Sequence, residues 1–204
     1  MNAPLVPFGK PRPERADAAR NRQILLEAAR AMLAEHGAEK VTMDALAERA
    51  GVGKGTVFRR FGSRAGIFNA LLDDSEGRFQ EQVLSGPPPL GPGAAPKQRL
   101  IAYGRARIAY LFVHHALVRA ALDRNRPAPM GEVSMTLPHF RMLLGRTDVP
   151  RRHLDGLALQ LTSALEGPLM LYLSREEIAR TPEPDAEDPL ADSWQELVER
   201  VLPG

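Results

Sequence analysis

Glycine and proline cut this chain into helix-length pieces, and that punctuation limits its fold more than any other feature. Between the breaks, apolar residues recur at three- and four-residue spacing, and no segment alternates over the length of a strand. Ile24, Leu25, Ala28, Met32, Leu33 and His36 describe one helix face, which Gly37 stops. Thr42 stands as an N-cap, with Val41 and Leu46 placed as a hydrophobic staple around it, and the short helix that follows, Met43 to Ala50, ends at Gly51. A third helix runs from about Lys54 to Arg60. Ser63 caps a fourth, whose stripe is Ile67, Phe68, Leu71, Leu72, Phe79 and Val83. Further helical patterns cover about 97–124, 133–145, 151–174 and 189–202. The expected fold class is all-α.

Three proline-rich stretches interrupt this pattern. The first lies at the N-terminus. The second, SGPPPLGPGAAP at 85–96, can neither continue a helix nor pair in a sheet, and is the best candidate boundary between two parts. The third, TPEPDAEDP at 181–189, reads as an exposed acidic loop. Gly167–Pro168 falls inside an apolar helix and predicts a kink or break.

Charge divides the chain unevenly. The formal total is only +2, but residues 1–70 carry 12 Lys and Arg against 7 Asp and Glu, hence +5, and residues 71–204 carry 15 against 18, hence −3. A basic end joined to a differently charged remainder is what a nucleic-acid-binding unit fused to another domain would show. With no cysteine, disulfide scaffolds, thiolate catalysis and Cys-ligated metal sites are excluded. No signal-peptide core is visible, and the longest uncharged apolar stretch, Ile108 to Val118, falls far short of the ~20 residues of a spanning helix. A cytoplasmic protein with no membrane partner is expected.

The segment TMDALAERAGVGKGTVFRRF at 42–61 carries the function. It lays out a capped short helix, a glycine turn at Gly51 and a second short helix bearing Lys54, Thr56, Arg59 and Arg60. This is the plan of a helix-turn-helix, in which the second helix enters the major groove. Val57 and Phe61, four apart, face inward. Taken with ILLEAARAMLAEHG before it and GSRAGIF after it, the run from about Arg20 to Leu72 resembles the DNA-binding domain of TetR-family transcriptional repressors.

The resemblance implies roles for particular residues. Thr42 would hold a phosphate at its helix N-terminus. Lys54, Thr56 and Arg59 would face the groove, and Gly55 would admit a phosphate or base edge to the backbone. Arg60 and Arg64 would touch phosphates, with Arg59 or Arg60 able to read guanine bidentately. Gly53 stands where the family commonly has serine. Phe58 replaces its usual tyrosine, losing a hydroxyl contact while ring packing stays. Gly66 replaces the glutamate that would complete a capping box with Ser63, which should loosen the first turn of the fourth helix.

Other motifs dissolve on inspection. GVGKGT at 51–56 has Glu48 where a phosphate-binding loop needs its first glycine, and helix rather than strand before it. GSRAG at 62–66 has its serine in the wrong place for a nucleophile elbow. His114 and His115 are adjacent, so on a helix they diverge by about 100° and cannot easily share a metal. No spacing argues for catalysis, and neither enzyme activity nor a cofactor is expected.

In the C-terminal part, Tyr103, Arg107, Tyr110 and His114 lie near one helix face and mix aromatic area with polar tips, which suits a small-molecule pocket or an ordinary core. Phe140, Met142, Leu165 and Tyr172 are candidate co-liners. Leu154, Leu157, Leu161 and Leu165 form one late stripe, and Leu190, Trp194, Leu197, Val198 and Val201 another. These could complete a monomer core or, as the resemblance implies, half of a four-helix homodimer interface. The expected organisation is a flexible basic arm over 1–16, a helix-turn-helix domain over 17–72 and a ligand-binding and dimerisation domain over 73–204. The expected partners are a near-palindromic double-stranded DNA operator, a small-molecule effector and a second copy of the chain. A constitutive DNA-binding regulator and a protein-interaction adaptor are the alternatives.

Overall fold

A computed structural model describes residues 13–121, 135–172 and 188–202. They form α1 (Pro13–His36), a 3₁₀ turn (Ala38–Lys40), α2 (Met43–Arg49), α3 (Lys54–Phe61), α4 (Arg64–Ser85), α5 (Pro96–Ala121), α6 (Thr136–Leu144), α7 (Arg151–Tyr172) and α8 (Pro189–Val201), with no strand among the described residues. The chain divides into two compact units, Met1–Leu71 and Leu72–Gly204. The proline-rich segment at 85–96 therefore lies within the second unit rather than between the two. Arg99 holds it there: its buried guanidinium donates to Val83 O at 2.9 Å and to Leu90 O at 3.4 Å. Most of the proposed basic arm, residues 1–12, lies outside the described residues, whereas 13–16 are already helical.

The first unit closes around Leu25, Leu26, Ala29 and Met32 of α1, Val41, Leu46 and Ala47, Val57 and Phe61 of α3, and Ile67, Phe68 and Leu71 of α4. The buried face of α1 is thus rotated from the expected one: Ile24 is 44% exposed and His36 is exposed. An alanine-rich helix leaves the periodicity loose, and packing selects which apolar stripe is covered. Thr42 caps α2, its Oγ1 accepting from Ala45 N at 3.1 Å, and both staple residues, Val41 and Leu46, are fully buried. Gly51 takes φ +65°, the left-handed conformation that the turn between α2 and α3 demands.

The second unit buries Phe79 and Val83 of α4, Leu100, Tyr103 and Ile108 of α5, Phe140, Leu143 and Leu144 of α6, Ala158, Leu161 and Leu165 of α7, and Ala191, Trp194 and Val198 of α8. α5 packs against α8, and α6 against both α7 and α5. Asp188 caps α8, accepting from Leu190 N and Ala191 N at 3.1 Å, with Pro189 in the first helical turn. α7 runs through Pro168 to Tyr172, so of the expected kink or break the break does not occur. Its apolar face is buried from Ala158 to Leu165, so packing carries the helix past the missing N–H. The patterns expected at 122–124, 133–134 and 173–174, and the acidic loop over 181–187, lie outside the described residues.

Candidate nucleic-acid interface and a buried polar cluster

Val57 and Phe61 anchor α3 in the core, so the opposite side of that helix must face outward. Lys54, Gly55, Phe58, Arg59 and Arg60 are exposed and Thr56 is half-buried. Gly53 closes the N-terminus of α3 without a side-chain cap, its carbonyl accepting from Thr56 N at 2.9 Å. Neither Gly53 nor Gly55 is required by local geometry. A Cβ added to either would meet nothing within 4 Å, and neither has a positive φ. Two glycines at the head of a helix, costing roughly 1 kcal/mol each in an interior relative to alanine, leave a bare backbone that an outside molecule can approach.

The charges here are held in pairs that sequence reasoning missed. Lys54 Nζ lies 2.8 Å from Asp44 Oδ2 on α2, and Arg49 makes a two-pronged pair with Glu35 at 2.7 and 2.8 Å, tying α2 to α1. The Arg49 hydrogen bond and charge lower the Glu35 pKa. Such exposed pairs are weak, being screened by solvent, and exchange readily for a better anion. Arg59 is exposed and makes no pair among the described residues.

Arg64 is placed differently from the expectation. Its Nε donates to Val41 O at 2.8 Å and its Nη2 to Ala38 O at 2.7 Å, with the guanidinium 5.0 Å above the Phe68 ring. It therefore braces the turn that delivers Thr42 to its cap. Gly66 also departs from the expected loosening. Its N–H donates to Ser63 Oγ at 3.1 Å, and a Cβ at that position would lie 1.8 Å from Phe61 O. The close approach of the α3 end to the first turn of α4 admits only glycine. Phe58 differs too: its ring is 63% exposed instead of packed.

In the second unit, the four expected side chains of α5 do come together. Arg107 is buried and paired with Glu76 of α4 at 2.5 Å, with its guanidinium 5.0 Å from the Tyr110 ring and 5.6 Å from Phe79. Tyr103 is fully buried and shares a 2.8 Å hydrogen bond with Thr136 of α6. His114 stacks on Tyr110 at 4.2 Å, and its Nδ1 lies 2.8 Å from Tyr110 O. Phe140 packs edge-on to Tyr103 and stacks on Trp194. Leu165 is buried, and lines a small cleft of about 60 Å³ with Ile108, Ala164, Leu190, Ser193, Trp194 and Leu197. Met142 is 37% exposed and stays outside the cluster, because it follows Phe140 by two positions and so turns to the far side of α6. Tyr172 closes α7, and its side chain lies outside the described residues.

Burial pushes both phenols up to about 12, the Tyr103–Thr136 bond opposing it and the charge of Glu76 adding to it at Tyr110. Burial lowers Arg107, but the adjacent Glu76 more than offsets that and leaves it raised. His139 of α6 stacks on Tyr103 at 5.1 Å, and desolvation with the nearby Arg99 charge lowers it to about 4. Arg107 Nε, His115 Nε2 and His139 Nε2 are buried without a hydrogen-bond partner. Glu76, Thr136 and His139 were not singled out from sequence; the only signal was their polarity on otherwise apolar faces.

Residues 25–71 match the family model described as bacterial regulatory proteins, tetR family. Over these residues the N-terminal unit is similar to that family. Over 63 residues, 31% of this chain, it is 40% identical to the HTH-type transcriptional repressor AcnR of Corynebacterium glutamicum, and equally so to AcnR of Corynebacterium efficiens. The match spans 34% of those repressors' length. Solved structures share the whole fold. The multidrug binding protein EbrR, complexed with imidazole, superposes with TM-score 0.54 at 20% identity, covering 98% of each chain. NalD, the secondary repressor of the MexAB-OprM multidrug efflux pump in Pseudomonas aeruginosa, gives 0.53 at 18% over 92% of this chain and 98% of NalD. A TetR-like transcriptional regulator from Rhodococcus sp. RHA1 gives 0.52 at 22% over 96% and 100%. The described residues are thus all-α, with a helix-turn-helix in α2 and α3 and a helical remainder, the fold those solved structures share.

Proposed function

We propose that the chain is a dimeric transcriptional regulator, most simply a repressor, that binds a near-palindromic operator and leaves it when a small molecule binds the second unit. The observation that carries the DNA-binding part is the outer face of α3. Lys54, bare Gly55, Phe58 and Arg59 stand exposed in a domain with a basic excess, and nothing in the fold explains the two open glycines. Thr42, Thr56 and Arg60 join them as backbone contacts, while Arg64 acts from behind by holding the turn. The repressor names of AcnR and NalD agree with this direction of control.

For the effector, Tyr103, Arg107, Tyr110 and His114 supply the polar tips, with Phe140 and Leu165 as apolar wall. Three buried polar atoms without partners, Arg107 Nε among them, are groups a bound molecule could satisfy. EbrR, complexed with imidazole, is a protein of this fold that holds a small molecule. A constitutive regulator is the second reading, because Tyr103, Arg107 and His114 each already have a partner inside the fold.

In-vitro selection of duplex DNA by the full chain, followed by gel-shift titration at several salt concentrations, tests the first part. Enrichment of a two-fold symmetric site with a steep salt dependence is expected. Thermal-shift screening of small molecules separates the two readings: a stabilising compound that also releases the selected DNA supports the effector, and a library without any stabilising compound supports the constitutive form.

A further inference from the structure

We infer that Phe58 is a specificity-determining residue that reads the C5-methyl group of a thymine in each half-site. The inference rests on the proposal that α3 enters a major groove. Of the described large apolar side chains in the first unit, Phe58 is the most exposed at 63%, although Val57 and Phe61 near it are buried. Side chains lean toward the N-terminus of their helix, so the Phe58 side chain is directed toward the turn that begins at Lys54. That turn offers the ring no cover. Gly55 has no side chain and open space beyond it, and the Lys54 ammonium is held 2.8 Å from Asp44.

A bare phenyl ring near the middle of a recognition helix, leaning toward its N-terminal turn, is directed to the end where such helices meet base edges. The ring can neither donate to a phosphate nor pair with the polar edges of a base. The one apolar group on the floor of the major groove is the thymine methyl, for which an aromatic side chain is a fitting partner. Exposed Arg59, the next residue along, supplies charge that brings the helix to the duplex. The alternative occupant of the ring is a deoxyribose face, which carries no sequence information.

Two steps on the full chain separate these outcomes. Selection with the wild type should yield a thymine at one fixed position in each half-site, and selection with Phe58→Ala should lose that preference while keeping the others. Replacing only those thymines by deoxyuridine then removes the methyl and nothing else. Wild-type affinity should fall about fourfold per thymine, about fifteenfold for the symmetric site, and Phe58→Ala should not distinguish the two duplexes. Equal wild-type affinity for both duplexes overturns the thymine reading and, if Phe58→Ala still binds weakly, leaves the sugar as its contact. Phe58→Leu, which keeps an apolar side chain, should retain part of the discrimination. Failure to enrich any DNA overturns the thymine contact together with the DNA-binding proposal, whereas enrichment without a methyl effect overturns the contact alone.

Discussion

Arg64 and His139 show how far a residue's role is set by what surrounds it. A basic side chain at the start of a helix next to a recognition helix is expected to reach a phosphate, yet Arg64 faces carbonyls 23 and 26 residues earlier. Charge-assisted hydrogen bonds contribute ~1.5–3 kcal/mol. Arg64→Ala should therefore destabilise the full chain to denaturant by about 2 kcal/mol, and Arg64→Lys should recover less than half, since one ammonium cannot replace the fork across both carbonyls. The slope of log affinity against log salt should stay unchanged in either variant; a slope smaller by about one would instead make Arg64 a phosphate ligand.

His139 has a pKa of about 4, below its ordinary 6.5, so the folded chain binds fewer protons than the unfolded one. Its contribution to stability is complete above pH 6.5 and is lost as pH falls toward 4. Burial lowers His114 as well, adding in the same direction. His139→Phe, which keeps the ring against Tyr103, should remove on the order of 2 kcal/mol of the stability lost between pH 7 and pH 4.5, read from urea midpoints at the two values. An unchanged pH profile would refute the assignment.

At the scale of elements, packing decides what propensity leaves open. Gly104 sits in the middle of α5, where alanine would favour the helix by ~1 kcal/mol. Yet a Cβ there would lie 1.9 Å from Trp194 Nε1, whose N–H donates to Leu100 O at 3.1 Å. Overpacking costs ~1–3 kcal/mol and loss of the indole bond ~1, so the clash wins. Gly104→Ala should lower stability by about 2 kcal/mol net and shift the emission of Trp194, the sole tryptophan of the chain. A variant as stable as wild type, with unaltered emission, would contradict this packing of α5 on α8.

The same contrast explains what could be read from the sequence. The first helices are legible in the sequence because local chemistry bounds them, with Thr42 and Ser63 as caps and Gly37 and Gly51 as stops. The outward α3 residues were legible because Val57 and Phe61 fix the inward side. Pairings across long separations were not: Glu76 with Arg107, Arg99 with the proline-rich segment and Trp194 with Gly104 depend on which elements meet. For the same reason the periodicity points to the wrong buried face of α1, and Gly167–Pro168 does not reveal that the helix continues past it.

For the whole molecule, the question is what covers the late helices. Leu159 of α7 is 56% exposed and Leu197 of α8 is 37% exposed, and Leu197 borders the cleft lined by Ile108, Leu165 and Trp194. Apolar side chains on two successive helices are costly to leave in water, at roughly 25 cal/mol per Å². Covering them with a second copy removes that cost and also supplies a second recognition helix. One such helix makes few base contacts, and two related by a dyad would read half-sites about one helical turn, ~34 Å, apart. Leu159→Glu and Leu197→Glu bring a carboxylate onto that surface, where an unpaired charge opposes association. Both should shift the sedimentation of the full chain from that of the proposed dimer to that of a monomer while helix content by circular dichroism is retained. Affinity for a symmetric two-half-site duplex should then fall by at least tenfold, while binding to a single half-site stays as weak as before. A pair of variants that remains dimeric would place the interface elsewhere, and a wild type that sediments as a monomer at micromolar concentration would remove the dimer from the proposal.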